Sequence, residues 1–307
     1  MQTQTTKNSS KKVKTWTIGA STFSAAPELG ARLMQWDLNL AHGPSRNIIY
    51  WPEDANLSQI DKVRGGNPIL FPFIARTFHK GKENHWSPEK NTVLPMPRHG
   101  FCRNGQFEIT QTTDSGFIAK LLPTVSDIEA YPFNYTFSVQ YIFSELSFEV
   151  NLILENHSKT RIPWCPGHHF YFNLPWHEGL NRSHYHVDIP TKKAFNAGSG
   201  GKLTPANNFT MPCSFDDPAI IDRIHCRLKN NSMKFGLKND EEFITIKIGD
   251  SSPPSTWNSI TTWTLDDNSP FYCVEPWMGL PNSPEHEKGL SYVEAGATQT
   301  FNVTVSL

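Results

Sequence analysis

Three segments of the chain set a titratable side chain beside Gly or Pro and beside large rings. They are Met96-Pro-Arg-His-Gly-Phe-Cys-Arg103, Pro166-Gly-His-His-Phe-Tyr-Phe-Asn173 and Cys273-Val-Glu-Pro-Trp-Met-Gly279. An imidazole and a carboxylate can pass protons near neutral pH. Aromatic faces cover the C–H groups of a sugar while polar side chains take its hydroxyls, so the mixture suits the rim of a sugar pocket. Taken singly, each residue keeps a plainer reading. His99 could be a hydrogen-bonded structural histidine. Strand alternation puts His169, Tyr171 and Asn173 on one face and His168, Phe170 and Phe172 on the other, so only one histidine of the pair can share a face with Tyr171. Glu275 follows an apolar run and precedes Pro276, which also describes a strand-end carboxylate in water. Two histidines and a carboxylate would equally suit a non-haem iron or cupin-like metal site. The row His184-Tyr-His186-Val-Asp188 is a further same-face candidate, read first as a solvated strand face.

The elements that must position these residues read as strands. From Tyr135 to Phe143 the odd positions are Tyr, Phe, Val, Tyr and Phe; after a turn at Ser144 and Glu145, the even positions Leu146, Phe148, Val150, Leu152 and Leu154 continue the pattern. This predicts an antiparallel hairpin. Further strands are expected at Phe243 to Ile248, Thr261 to Leu265, Phe271 to Glu275 and Phe301 to Val305, and helical signals are weak. The 23 prolines and 19 glycines are spread along the chain, as short strands joined by turns require. Two stretches, Thr77 to Arg98 and Pro175 to Asn208, read as long irregular loops of the kind that bind ligands. No fixed-period repeat argues for a propeller or solenoid.

With 307 residues, one large β domain over 15–307 is expected behind a polar, flexible tail at 1–14. Hydrophobic residues make up 37% and aromatic residues 12%, enough for a sizeable core. The 28 basic and 29 acidic residues are well mixed, giving a formal charge of -1 and no field for gathering nucleic acid or an anionic membrane. No apolar run approaches the roughly 20 residues of a membrane span. Five scattered cysteines without a Cys-x-x-Cys pair argue against a disulfide framework or a cysteine zinc site, and a cytoplasmic location is expected.

The combination is more specific than its parts. Glu28-Leu-Gly-Ala-Arg32, Asn67-Pro-Ile-Leu-Phe-Pro-Phe-Ile-Ala-Arg76, His99-Gly-Phe-Cys-Arg103, Tyr131-Pro-Phe, Gly167-His-His-Phe-Tyr-Phe172 and Glu275-Pro-Trp follow one another in an order that resembles the aldose 1-epimerase (galactose mutarotase) family over nearly the whole chain. The resemblance implies an all-β supersandwich of large twisted antiparallel sheets, with a sugar lying in an open cleft. It implies His169 as proton donor, because His168 falls at the motif's variable position, and Glu275 as base. His99 would hold the ring-oxygen side of the sugar. Arg76 and Asp222 would contact hydroxyls, with Arg103 and Trp277 as further sugar contacts. The expected activity interconverts the α and β anomers of an aldohexose, with no metal or other cofactor. In the resting complex Glu275 is expected ionised and His169 protonated. The second histidine and the Trp after Glu275-Pro depart from the family pattern and mark a divergent branch. A branch acting on hexose 6-phosphates would find basic partners in Arg64, Arg98, Arg103, Lys80 and Lys82. A carbohydrate-binding protein without catalysis is the remaining alternative.

Overall fold

In the computed structural model, which describes residues 13–89, 92–206, 210–239 and 242–307, the expected hairpin is formed by the strands Tyr135–Ser144 and Ser147–Asn156. Ser144 pairs with Ser147, so the two-residue turn is Glu145-Leu146, one position later than the sequence suggests. Phe137, Val139, Tyr141 and Phe143 are buried from one strand and Phe148, Val150, Leu152 and Leu154 from the other. A period of two puts these eight side chains on a single face.

That face belongs to a nine-stranded sheet running Gln106–Thr113, Gly116–Leu122, Tyr135–Ser144, Ser147–Asn156, Thr298–Ser306, Phe243–Ile248, Ser232–Leu237, Tyr185–Asp188 and Cys213–Ser214. It packs on a twelve-stranded sheet. Ten of its strands follow in the order Lys14–Ile18, Ser21–Ala26, Arg32–Leu38, Arg46–Ile49, Phe170–Asn173, Phe271–Trp277, Ser259–Trp263, Arg223–Leu228, Thr191–Ala197 and Leu203–Pro205. Ile69–Leu70 and Gly167–His168 attach at its centre. The named strand pairs are antiparallel, as expected for an all-β sandwich. The core lies between the sheets: Phe23 stacks on Phe143 at 4.5 Å, Trp36 meets Phe148 edge-on at 5.6 Å, and Phe172 meets Phe235 at 4.8 Å. Each such ring contributes roughly 1.5–3 kcal/mol by burial.

Several expectations change. The first strand begins at Lys14, inside the proposed tail, and residues 1–12 lie outside the described residues. The first long loop contains two small hairpins, Phe78–His79 with Lys82–Glu83 and His85–Trp86 with Leu94–Pro95. The second contains Tyr185–Asp188, Thr191–Ala197 and Leu203–Pro205, while its last residues, Asn207 and Asn208, are not among those described. The strands of the first stretch are only two residues long, too short to show alternation, while Tyr185–Asp188 and Thr191–Ala197 pair with distant strands. One short helix, Val125–Ala130, was also invisible as a period; its signal is the capping box of Thr124 and Asp127. No helix of the described residues is long and apolar enough to cross a membrane.

Candidate active site

The strand Phe271–Trp277 is buried along its whole length and sits between Phe170–Asn173 and Ser259–Trp263. Its alternate residues Phe271, Cys273, Glu275 and Trp277 leave one face, away from the inter-sheet core. Register carries the remaining parts to them. Thr261 is paired with Glu275, Tyr171 with Cys273 and Phe170 with Val274, and Gly167 with Trp277. His169, between the two paired segments, therefore comes opposite Glu275. Its Nε2 lies 3.4 Å from Glu275 Oε1, with side chains 11% and 3% exposed. The His169 ring stacks on Tyr171 at 4.8 Å and meets Trp263 edge-on at 5.9 Å.

His168 points the other way. It is fully buried and stacks between Phe170 at 5.1 Å and Phe301 at 5.9 Å, within the core. Asn67 joins the two histidines. Its Nδ2 donates to Tyr141 Oη at 2.7 Å and to His168 Nδ1 at 3.1 Å, and its Oδ1 accepts the backbone N–H of His169 at 3.1 Å. A carboxamide supplies both donor and acceptor, which neither Asp nor Leu could do.

His99 approaches from a separate turn. Its backbone and that of Gly100 are both left-handed, with φ of 66° and 70°. A Cβ at residue 100 would run into the Phe71 carbonyl, so Gly follows His for a steric reason. His99 Nδ1 accepts the Ala75 N–H at 3.1 Å, leaving the proton on Nε2. Its ring lies 5.6 Å from His169 and 6.5 Å from Trp277.

These groups line one cleft of about 770 Å³, large enough for a monosaccharide. His169, Glu275, His99, Arg76, Asp222, Arg103 and Trp277 all border it, so the cleft gathers the seven residues that the resemblance marks as catalytic or sugar-binding. Of the proposed phosphate partners, Arg64, Arg98 and Arg103 border it too. Lys80 and Lys82 stand on the outer hairpin and do not. Trp263, Thr261, Lys62, Lys202 and Phe78 also line the cleft and were not singled out. Thr261 and Trp263 could have been found by extending alternation through their strand; the two lysines carry no local signal. Arg32 forms part of the wall through a buried guanidinium donating to the carbonyls of Ile60, Val63 and Gly65.

The alternative metal sites fare differently. Among the described residues, the potential ligand group at the cleft floor is His169 and Glu275, which line it, with Cys273 buried behind them, so it has one histidine and a thiol in place of two histidines. His184 closes a short turn, accepting the Asn181 N–H, while His186 and Asp188 occupy the partly exposed face of a strand in the other sheet.

Burial also changes the expected charges. Burial pulls the His169 imidazole down to about 3, and the nearby Arg98 and Arg32 push the same way. Burial lifts the Glu275 carboxyl well above its ordinary range; Arg98 opposes this and Asp222 adds to it. His99 is held well below the usual imidazole range by burial and by His169 and the neighbouring arginines. A neutral imidazole facing a carboxylic acid holds as many protons as imidazolium facing carboxylate. Without a ligand, desolvation favours the neutral pair, whereas the ionised Glu275 and protonated His169 expected from the sequence belong to the sugar complex.

Fold and cleft together define a galactose mutarotase-like β-sandwich. Within that class the chain belongs to the aldose 1-epimerase family, whose family model, Aldose 1-epimerase, matches residues 14–296. The chain is similar to a galactose mutarotase related enzyme from Lactobacillus acidophilus, with a TM-score of 0.76, 19% identity and 96% of each chain covered. It is also similar to a galactose mutarotase-like protein from Lactobacillus casei, with a TM-score of 0.73, 20% identity, and 96% of this chain and 99% of that one covered. In sequence it is 22% identical to Protein LacX of Lactococcus lactis subsp. lactis over 242 residues, 72% of this chain and 76% of the relative.

Proposed function

We propose that the protein is an aldose 1-epimerase that interconverts the anomers of an aldohexose by acid/base ring opening. The supporting observation is the His169–Glu275 pair, 3.4 Å apart on the floor of a sugar-sized cleft. His169 Nδ1 and Thr261 Oγ1 are buried there without protein hydrogen-bond partners among the described residues. Buried polar atoms of this kind are suited to a hydroxylated ligand.

A bound sugar separates the pair and gives each charged form a partner: the anomeric hydroxyl donates to Glu275, and the ring oxygen accepts from His169. This draws the shared proton from the carboxyl to the imidazole, producing the ionisation that the chemistry needs. Glu275 then removes the O1 proton as the C1–O5 bond breaks, and His169 delivers its proton to O5. The products are the open-chain aldehyde, protonated Glu275 and neutral His169. Rotation about C1–C2 and reclosure with the roles reversed yield the other anomer. His99, protonated on Nε2, orients the sugar from the ring-oxygen side, with Arg76, Asp222 and Arg103 on the hydroxyls and the Trp277 and Trp263 rings against C–H faces.

Polarimetry on freshly dissolved α-glucose and α-galactose tests this reading. His169→Ala and Glu275→Gln should each lower kcat by about 10²-fold to 10⁴-fold, the usual contribution of a general acid or base. A near wild-type rate in either variant removes the assignment, and an inactive wild-type protein that still binds sugar makes this a binding protein.

A second reading concerns the substrate's charge. Lys62, Arg64, Arg98, Arg103 and Lys202 line the cleft, more cationic groups than a neutral sugar requires. Glucose 6-phosphate would then show a higher kcat/KM than glucose, with the advantage shrinking in salt.

A further inference from the structure

Cys273 takes no part in the acid/base chemistry, yet it lies directly beneath it. Two residues before Glu275 on the same strand, it leaves the same face of the sheet. It is a free thiol, fully buried against Tyr171 and Phe271. One ligand atom each from His169, Cys273 and Glu275 lie within 4.8 Å of one another. The His169 Nε2 to Glu275 Oε1 separation is 3.4 Å. Tetrahedral zinc, with nitrogen and oxygen ligands at about 2.0–2.1 Å, holds such atoms roughly 3.3 Å apart. That edge is already at metal-binding length, and the thiol needs a shift of only roughly 1 Å to complete the face.

The Glu275 carboxylate supplies an independent observation. Its side chain is 3% exposed, and apart from the Trp277 indole beside it no side chain among the described residues hydrogen-bonds its Oε2. Imidazole, thiolate and carboxylate together match zinc and its borderline-soft neighbours, and mismatch magnesium or calcium, which prefer all-oxygen sites. His99 is not a fourth ligand, because its Nδ1 accepts the Ala75 N–H. The fourth position opens to the cleft, where water can fill it.

We propose that His169, Cys273 and Glu275 form an inhibitory site for a zinc-class divalent cation, which occupies both halves of the acid/base pair and stops anomer interconversion. The binding rests on the geometry of the trio, and only its inhibitory consequence rests on the epimerase reading. As the ion enters, the thiol proton and the proton shared by His169 and Glu275 leave to solvent. Bound sugar and bound cation exclude each other, because both use the same lone pairs.

The test uses metal-free full-length protein titrated with Zn²⁺ and, as a spectroscopic probe, Co²⁺. One equivalent of Co²⁺ should produce a thiolate-to-cobalt charge-transfer band in the near ultraviolet, and Zn²⁺ should displace it. Cys273→Ala should lose the band and bind Zn²⁺ about 100-fold more weakly or worse, since losing a direct ligand costs at least as much as losing an outer partner. Its metal-free mutarotation rate should match wild type while inhibition by Zn²⁺ disappears. Cys273→Ser provides the same comparison if the alanine variant fails to fold. Absence of the band, or Zn²⁺ affinity unchanged in both variants, overturns the site. A Cys273-dependent band in a protein with no mutarotase activity upholds the site and rejects the epimerase reading instead.

Discussion

Asn67 holds two adjacent histidines in opposite roles. Its amide nitrogen fastens His168 into the core and its amide oxygen fastens the backbone of His169 at the cleft floor. Three buried partners would lose a hydrogen bond together in Asn67→Ala. Unmet buried polar groups cost about 1–3 kcal/mol each, so a loss on the order of 3 kcal/mol is expected after relaxation. Urea denaturation should show that loss, and on the proposed function the surviving folded protein should have a lower kcat because His169 is no longer held opposite Glu275. An unchanged midpoint together with unchanged kcat would remove Asn67 as the clamp. The same buried setting pushes His169 and Glu275 toward their neutral forms before sugar arrives. Polar contacts from the substrate, in place of bulk water, would restore their charges.

Strand register does at the next scale what no single residue can. Phe170 pairs with Val274 and Gly167 with Trp277, and this register alone sets His169 against Glu275. Gly167 permits the close approach, since a Cβ there would strike the Trp277 ring. The His99 turn is built on similar terms. Gly100→Ala meets both a left-handed backbone and the Phe71 carbonyl, so a loss of about 2–4 kcal/mol is expected, with His99 displaced and KM raised. Gly81→Ala provides the contrast. Gly81 also has positive φ, at 83°, but nothing lies within 4 Å of its added Cβ. Backbone strain of about 1 kcal/mol with unaltered kinetics is expected there. Thermal melts and initial rates of the two variants check the difference; equal losses would mean that the Phe71 contact does not matter.

Across the whole molecule, the two-sheet core buries imidazoles without charge. Burial pulls His168 down to about 3, and burial with the neighbouring Arg223 does the same to His225. Their ordinary value is about 6.5, so between the two values the unfolded chain binds protons that the folded chain refuses. The stabilisation is fully present above pH 6.5 and is lost as pH falls toward 3, at about 1.4 kcal/mol per pH unit for each histidine. Melting temperature should therefore drop steadily from pH 6.5 to pH 4. His168→Phe, which keeps the stack on Phe170 and Phe301, should flatten that slope. A pH dependence identical to wild type would show that His168 is not held neutral.

Much of the architecture was legible in one dimension. Alternation at 135–154 and 243–248 marks strands because a half-buried pleated chain buries every second side chain, whatever its partners, and the short apolar run at 271–275 marks a strand buried on both faces. The ordered motifs from Glu28 to Trp277 carried the family, since each needs particular residue types at fixed local spacing. The hairpins within 77–98 were not legible because two-residue strands are too short to show alternation, and the strands within 175–208 because Tyr185–Asp188 and Thr191–Ala197 pair with strands farther along the chain. Nor was the placement of Lys62 and Lys202 around the cleft, or the closeness of Cys273 to His169. Nor does the sequence show that burial pushes the His169–Glu275 pair toward its neutral forms, since it shows which groups titrate but not how much water reaches them. Desolvation is a property of the assembled sheets, and so only the tertiary structure could decide it.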